Sequence, residues 1–183
     1  MLRIQKLLYP TNLLITAIAL TLAACSTNQT TTTSPDSANP SPTINIPGVT
    51  HVGEINFTTT STGAQGFFDA VNGSNATRVE VSGTNPINVY GWAILANKGR
   101  PADNVIITYG DNDTVVAVAP VNVERPDIVK ILNNSAFANS GWNINIDAAT
   151  LPEGSVILKA WAYDSETKEA TQLTTTPEII VTR

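Results

Sequence analysis

The chain has 183 residues, 42% of them hydrophobic and 14% charged, with 10 basic side chains against 15 acidic ones for a net charge of −5. Such an acidic chain is repelled by nucleic acid and by anionic lipid head groups, which argues against a nucleic-acid partner and against electrostatic attachment to a membrane. One cysteine and one histidine exclude an internal disulfide framework and a zinc site built from His and Cys.

The first element is a targeting segment. Arg3 and Lys6 precede an apolar run from Leu13 to Leu22, and Leu22-Ala23-Ala24-Cys25 closes it. The run is too short to span a bilayer, which takes about 20 residues. A basic start, an apolar stretch and small residues before a cleavage point fit a removed signal instead. The Leu-Ala-Ala-Cys box resembles the lipobox of bacterial lipoproteins, in which the cysteine sulfur takes a diacylglycerol and the cysteine becomes the first mature residue. The resemblance implies a signal peptide over 1–24, lipidation of Cys25 with palmitate-type acyl chains, and membrane attachment through that lipid. The alternative is an ordinary secretory signal with an incidental cysteine. Ser26 stands where Gram-negative lipoproteins retained in the inner membrane commonly carry Asp. The same resemblance therefore implies an outer-membrane protein facing the periplasm or the exterior. Removing 1–24 takes away Arg3 and Lys6 and leaves 159 residues (183 − 24) at a net charge of −7 (8 basic − 15 acidic).

Residues 25–43 read as a linker. Thr30-Thr31-Thr32-Thr33 is followed by Pro35, Pro40 and Pro42, and Ala38 is almost the sole apolar side chain. Such a composition cannot offset the entropy of ordering. About 18 residues of this kind span roughly 25 Å as a coil and roughly 55 Å when prolines hold them extended.

Residues 44–183 form one expected domain, long enough to bury roughly two-thirds of its unfolded surface. At its start, 44–46 and 54–57 alternate apolar and polar residues around Pro47-Gly48, which predicts one or two short edge strands. Further strands are expected over 66–71, 78–81, 87–95, 104–109, 115–123, 142–146, 156–163 and 178–181. They are separated by turn signals such as Asn72-Gly73, Lys98-Gly99-Arg100-Pro101, Gly110-Asp111-Asn112-Asp113 and Pro152-Glu153-Gly154. Short Val-, Ile- and Thr-rich strands at this spacing predict an all-β sandwich or barrel. One segment, 125–133, reads as helix. Pro126 and Asp127 start it, Ile128, Ile131 and Leu132 make one apolar face, and Asn133-Asn134 stops it. One or two turns packed over an open end of the sandwich are expected.

Four pieces in order carry a second resemblance. They are Val89-Tyr90-Gly91-Trp92-Ala93, Glu124-Arg125-Pro126-Asp127-Ile128, Ser140-Gly141-Trp142, and Leu151-Pro152-Glu153-Gly154 with Lys159-Ala160-Trp161-Ala162-Tyr163-Asp164. Together they look like an Ig-like β-sandwich module that recurs in bacterial envelope proteins, and Asp69-Ala70-Val71-Asn72-Gly73 resembles its first strand and turn. The module often has an acidic turn after its Gly-Trp-Ala strand, where this chain has Ile94-Leu95-Ala96-Asn97. The resemblance implies an Ig-like sandwich with an accessory or binding role, no catalytic residues and no cofactor.

The residues themselves offer few chemical centres. Trp92, Trp142 and Trp161 are the candidates for ligand binding, since tryptophans on a sandwich face stack on sugar rings. Each also follows a small residue inside a strand, which favours close core packing. Asp111-Asn112-Asp113 opens like a calcium loop, but the sixth and twelfth positions are Val116 and Asn122 where that loop needs Gly and Glu, so an acidic hairpin turn is expected. No Gly-x-Ser-x-Gly elbow accompanies His51. Asp164 and Glu166 read as solvated turn charges. The favoured reading is a non-catalytic interaction or binding module of the envelope, its partner an envelope protein or a polysaccharide. The alternative is a carbohydrate-binding module using surface tryptophans, and a hydrolase is less favoured.

Overall fold

Two long strands with apolar residues on both faces organise the architecture. The computed structural model describes residues 44–60 and 63–183, and every residue so described belongs to one unit. The signal peptide, Cys25 and the linker lie outside the described residues. The strands are β1 (Asn56–Thr58), β2 (Ala64–Val71), β3 (Arg78–Ser82), β4 (Ile87–Leu95), β5 (Arg100–Pro101), β6 (Asn104–Tyr109), β7 (Thr114–Val123), β8 (Gly141–Ile146), β9 (Gly154–Asp164), β10 (Glu169–Gln172) and β11 (Glu178–Thr182), with one helix, α1 (Pro126–Leu132). The described residues are therefore all-β with one short α-helix.

The hydrogen-bonded path runs β1-β10-β9-β6-β7-β8-β4-β2 and curls on itself. Strand β7 makes the curl: it lies against β6 along most of its length and passes to β8 at Val121 and Val123, where the register shifts. Strand β9 is shared in the same way, with β10 beside its end and β11 beside its start. The curl brings β2 and β4 up against β9 without hydrogen bonds between them.

Alternation sets what the curl encloses. On β4, Ile87, Val89, Ala93 and Leu95 point inward with Gly91. On β9, Val156, Leu158, Ala160 and Ala162 do the same. They meet Phe68, Val105, Ile107, Trp142 and Ile146 in the main core. Full burial of one such side chain contributes roughly 1.5–3 kcal/mol.

Each of the two long strands also buries its other face. The outer residues of β9, Trp161 and Tyr163, pack with Ile106, Ala170, Ile46 and Ile55 beneath residues 44–58. The outer residue Ile94 of β4 packs with Ile128 and Phe137 beneath α1. The helix thus lies on the outer face of β4 rather than over an open end. It carries Pro126 in its first turn and ends where Asn133 turns left-handed at φ 49°. Ile128 and Leu132, one turn apart, are the residues that contact this cluster, while Ile131 stays 73% exposed. The expected three-residue apolar face is narrower because a seven-residue helix meets only a strip of sheet.

The predicted strands form at their expected positions, with bounds moved by a residue or two. Only one strand, β1, arises from the segment around 44–57. Ile46 is instead anchored from a turn as a buried residue. Two strands come in addition: β10 in a polar stretch, and β5, whose Arg100-Pro101 pair sits within the expected turn and bonds to the end of β4.

Candidate functional site

The face of β2, β4 and β8 turned away from the main core is where polar and aromatic side chains gather. Period-two alternation puts them there: Gln65, Phe67 and Asp69 from β2, Asn88, Tyr90 and Trp92 from β4, Asn143 and Asn145 from β8. Register then lines them up in rows. Phe67 stands opposite Trp92, and Trp92 opposite Gly141. Tyr90 stands opposite Asn143, and Asn88 opposite Asn145.

Phe67 and Trp92 stack with ring centroids 6.0 Å apart and planes 26° from parallel. Phe67 is 42% exposed, and Trp92 is half-buried with one side against the α1 cluster. Gly141 matters for what lies beside Trp92. A Cβ there would come within 2.9 Å of Arg125 Cγ and Val123 Cβ, so its absence lets the arginine stem lie across β8. From there Arg125 Nη1 donates to Asp69 Oδ2 at 2.8 Å, and its Nε and Nη2 donate to the two Asp127 oxygens at 2.9 and 2.7 Å. The guanidinium so reaches from the end of β7 to β2, the far strand of the path. Burial pushes the Asp69 carboxyl up, and the Arg125 charge only partly offsets it. Asp69 is also the residue at the β2 bulge between Phe68 and Ala70, and a bulge re-aims a side chain in this way.

Asn88 Nδ2 donates to Asn143 Oδ1 at 2.7 Å and to Asn145 Oδ1 at 2.9 Å, forming an amide ladder across the two strands. With their carbonyls engaged, the exposed Asn143 and Asn145 keep amide N–H groups that meet no partner among the described residues. Between these rows lies a hollow of about 290 Å³, lined by Asp69, Tyr90, Gly91, Val123, Arg125, Trp142 and Asn143.

The three tryptophans have different surroundings. Trp142 is 1% exposed and packs edge-on against Phe68 in the main core, and its buried Nε1 has no hydrogen-bond partner among the described residues. Trp161 is 2% exposed on the outer side of β9. It donates from Nε1 to Thr108 Oγ1 at 2.8 Å and packs edge-on against Phe57. Trp92 alone of the three is not buried.

The remaining candidates stand apart from this face. Asp113 sits in the β6–β7 turn and accepts from Lys159 Nζ at 2.8 Å. His51 is exposed in the segment before β1. Asp164 corrects the expectation of a solvated turn charge: it ends β9, is buried, and pairs with Lys98 at 2.6 Å and Arg100 at 3.7 Å. Glu166 stays largely exposed while reaching the same two cations. Among the described residues no three His, Cys, Asp or Glu side chains converge as a metal site would require.

Sequence reasoning singled out Trp92 but not Phe67, Tyr90, Asn88, Asn143 or Asn145. Their signal was present as the alternations Phe-x-Asp, Asn-x-Tyr-x-Trp and Asn-x-Asn, which put polar or aromatic side chains on the face opposite the core. No protein-family model, curated protein sequence or solved structure matches this chain.

Proposed function

We propose that this chain is a lipid-anchored outer-membrane protein of the bacterial envelope whose folded part is an Ig-like β-sandwich acting as a non-catalytic binding module. The binding surface in this reading is the outer face of β2, β4 and β8. The observation that carries it is the exposed Phe67–Trp92 stack on the same face as a hollow whose lining includes Asp69, Tyr90, Arg125 and Asn143. A protein that needs only a stable β-core has no use for a large aromatic left open on the same face as exposed asparagine amides. Support for the Ig-like reading is that Asp69 and Arg125-Pro126-Asp127, far apart in sequence, meet through the Asp69–Arg125–Asp127 ion pairs, with the Arg125 stem passing over Gly141 opposite Trp92. The carboxylates there are held by a guanidinium, which suits recognition better than proton transfer.

The anchor and the module are tested separately. Palmitate label is expected in the full chain and absent from Cys25→Ser, and label in that variant would overturn the anchor. The immobilised chain is expected to retain material from an envelope extract that a Phe67→Ala, Asn143→Ala double variant does not retain. Equal retention by both would overturn the assignment of the binding face.

A further inference from the structure

We propose that the outer face of β2, β4 and β8 binds a neutral glycan, with a pyranose ring stacked on the Phe67–Trp92 pair and its hydroxyls met by Asn143, Asn145, Tyr90 and the Asp69–Arg125 pair. The inference rests on the binding-module reading above and names the ligand class of that site.

Four observations point to this chemistry. The first is shape. Phe67 and Trp92 stack across neighbouring strands, and Phe67 stays 42% exposed, which leaves an open aromatic surface of the kind the C–H face of a sugar ring packs against. The second is the hydrogen-bonding inventory. A sugar hydroxyl both donates and accepts, and the face supplies both functions side by side. The amide nitrogens of Asn143 and Asn145 donate, the Tyr90 hydroxyl does either, and the half-buried Asp69 carboxylate accepts. A protein ligand would favour an apolar centre depleted of charge, whereas here an ion pair lines the hollow.

The third observation is charge. Two carboxylates, Asp69 and Asp127, share one guanidinium on this face, within a chain of net charge −5. An anionic polymer would be repelled and a neutral one would not. The fourth is the hollow itself. At about 290 Å³ it lies at the small end of ligand pockets, which suits one sugar unit set into a face rather than a long buried ligand.

The experiment is titration of the full chain, in detergent, with cellohexaose, maltohexaose and chitohexaose, and with hexagalacturonate as the anionic comparison, followed by calorimetry and tryptophan fluorescence. At least one neutral hexasaccharide is expected to bind. Phe67→Ala and Trp92→Ala should each weaken it about tenfold or more, as loss of a stacking anchor does. Asn143→Ala should weaken it severalfold, while Trp161→Phe leaves it unchanged. Phe67→Ala and Asn143→Ala alter exposed positions, so their melting temperatures, measured alongside, separate lost binding from lost folding. No binding by any neutral hexasaccharide at millimolar concentration overturns the inference. Binding of hexagalacturonate alone does so as well, and so does neutral binding that survives both Phe67→Ala and Asn143→Ala. If no glycan binds and the chain still retains an envelope protein through Phe67, the glycan inference falls while the binding-module reading stands.

Discussion

The two outer faces of this curled sheet are built alike and finished differently. Strand β9 buries Trp161 and Tyr163 beneath the segment before β2, with Ile46, Ile55 and Phe57 closing over them and Tyr163 Oη donating to Pro47 O at 3.0 Å. Strand β4 buries Ile94 beneath α1, but the cover ends at Trp92, and Tyr90, Asn88 and Phe67 continue the face into solvent. On the first face the Trp161 indole N–H has a partner in Thr108. Where the cover is complete, polar atoms are satisfied internally and the region contributes stability. Where it stops, aromatic and amide groups face outward and can contribute recognition.

The largest effect should come from the covered face. Trp161→Ala removes a buried indole, its bond to Thr108 and its contact with Phe57. A loss of about 3–5 kcal/mol is expected. Against a total of roughly 5–15 kcal/mol this lowers the urea midpoint steeply or prevents folding. A Trp161→Ala variant that unfolds at the parent midpoint would break the comparison, since the two faces would then be equally dispensable.

The second effect concerns the ion cluster joining the ends of the two long strands. Lys98 and Arg100 follow β4, and Asp164 ends β9. Burial alone would raise the Asp164 carboxyl, but hydrogen bonds from Lys98 and from the Glu166 N–H outweigh it and hold it below its ordinary value of 3.8. Asp103 is lowered in the same way, burial being outweighed by Arg100 and Ser165. A carboxylate lowered on folding adds stability that is complete above its unfolded value and lost as pH falls through the folded one. Asp164→Asn should therefore cost about 1.5–3 kcal/mol at neutral pH, the range for a hydrogen bond to a charged group. That cost should shrink toward zero as pH falls below 3.8. Asp69 on the open face behaves oppositely. Its carboxyl is raised, so its folded form takes up a proton before the unfolded chain does, and its contribution falls as pH rises through that window. Urea midpoints measured against pH separate the two. A cost for Asp164→Asn that is constant with pH would remove the ion pair from the account.

The strands of this fold were legible because Val- and Ile-rich alternation is a local signal, and the turns between them carry Gly, Pro and Asn. Apolar residues on both faces of 87–95 and 156–163 also marked strands covered on each side. What covers them was not legible. The N-terminal cover comes from a stretch whose Ile46 and Ile55 alternate with polar residues, and nothing local says they close over Trp161. Strand β10 reads as polar because its neighbours β1 and β9 determine it through pairing, not its own composition. The site was half visible: Trp92 stood out by type, while Phe67, Asn143 and Asn145 acquire meaning only once register sets them in rows. The Arg125–Asp69 pair joins residues 56 apart in sequence and depends on Gly141 leaving the arginine stem its path.

A third prediction ranks Trp92 against Trp161. Trp92 is half-buried, with one side on the α1 cluster and its ring stacked on Phe67. Its area removed from water is correspondingly smaller, and Trp92→Ala should cost about 1.5–2.5 kcal/mol. Side-by-side urea unfolding of the two variants tests the ranking. A Trp92→Ala loss equal to that of Trp161→Ala would mean the open face is as much a part of the core as the covered one.

The smallest effect is the most informative about the open face. Phe67 is 42% exposed, and its ring stacks on the Trp92 ring opposite it. A cross-strand aromatic pair contributes roughly 0.2–1 kcal/mol, so Phe67→Ser should cost no more than about 1 kcal/mol. A serine also leaves less apolar surface in water, which offsets part of that loss. If Phe67 were held there for packing, replacing it would be felt in the melting curve. If it is held there for contact with a ligand, the melting curve should barely move while binding at this face is lost. Measuring thermal unfolding and retention of an envelope extract on the same Phe67→Ser preparation weighs the two directly. A drop of several kcal/mol with retention unchanged would assign Phe67 to the fold and leave the open face without its aromatic platform.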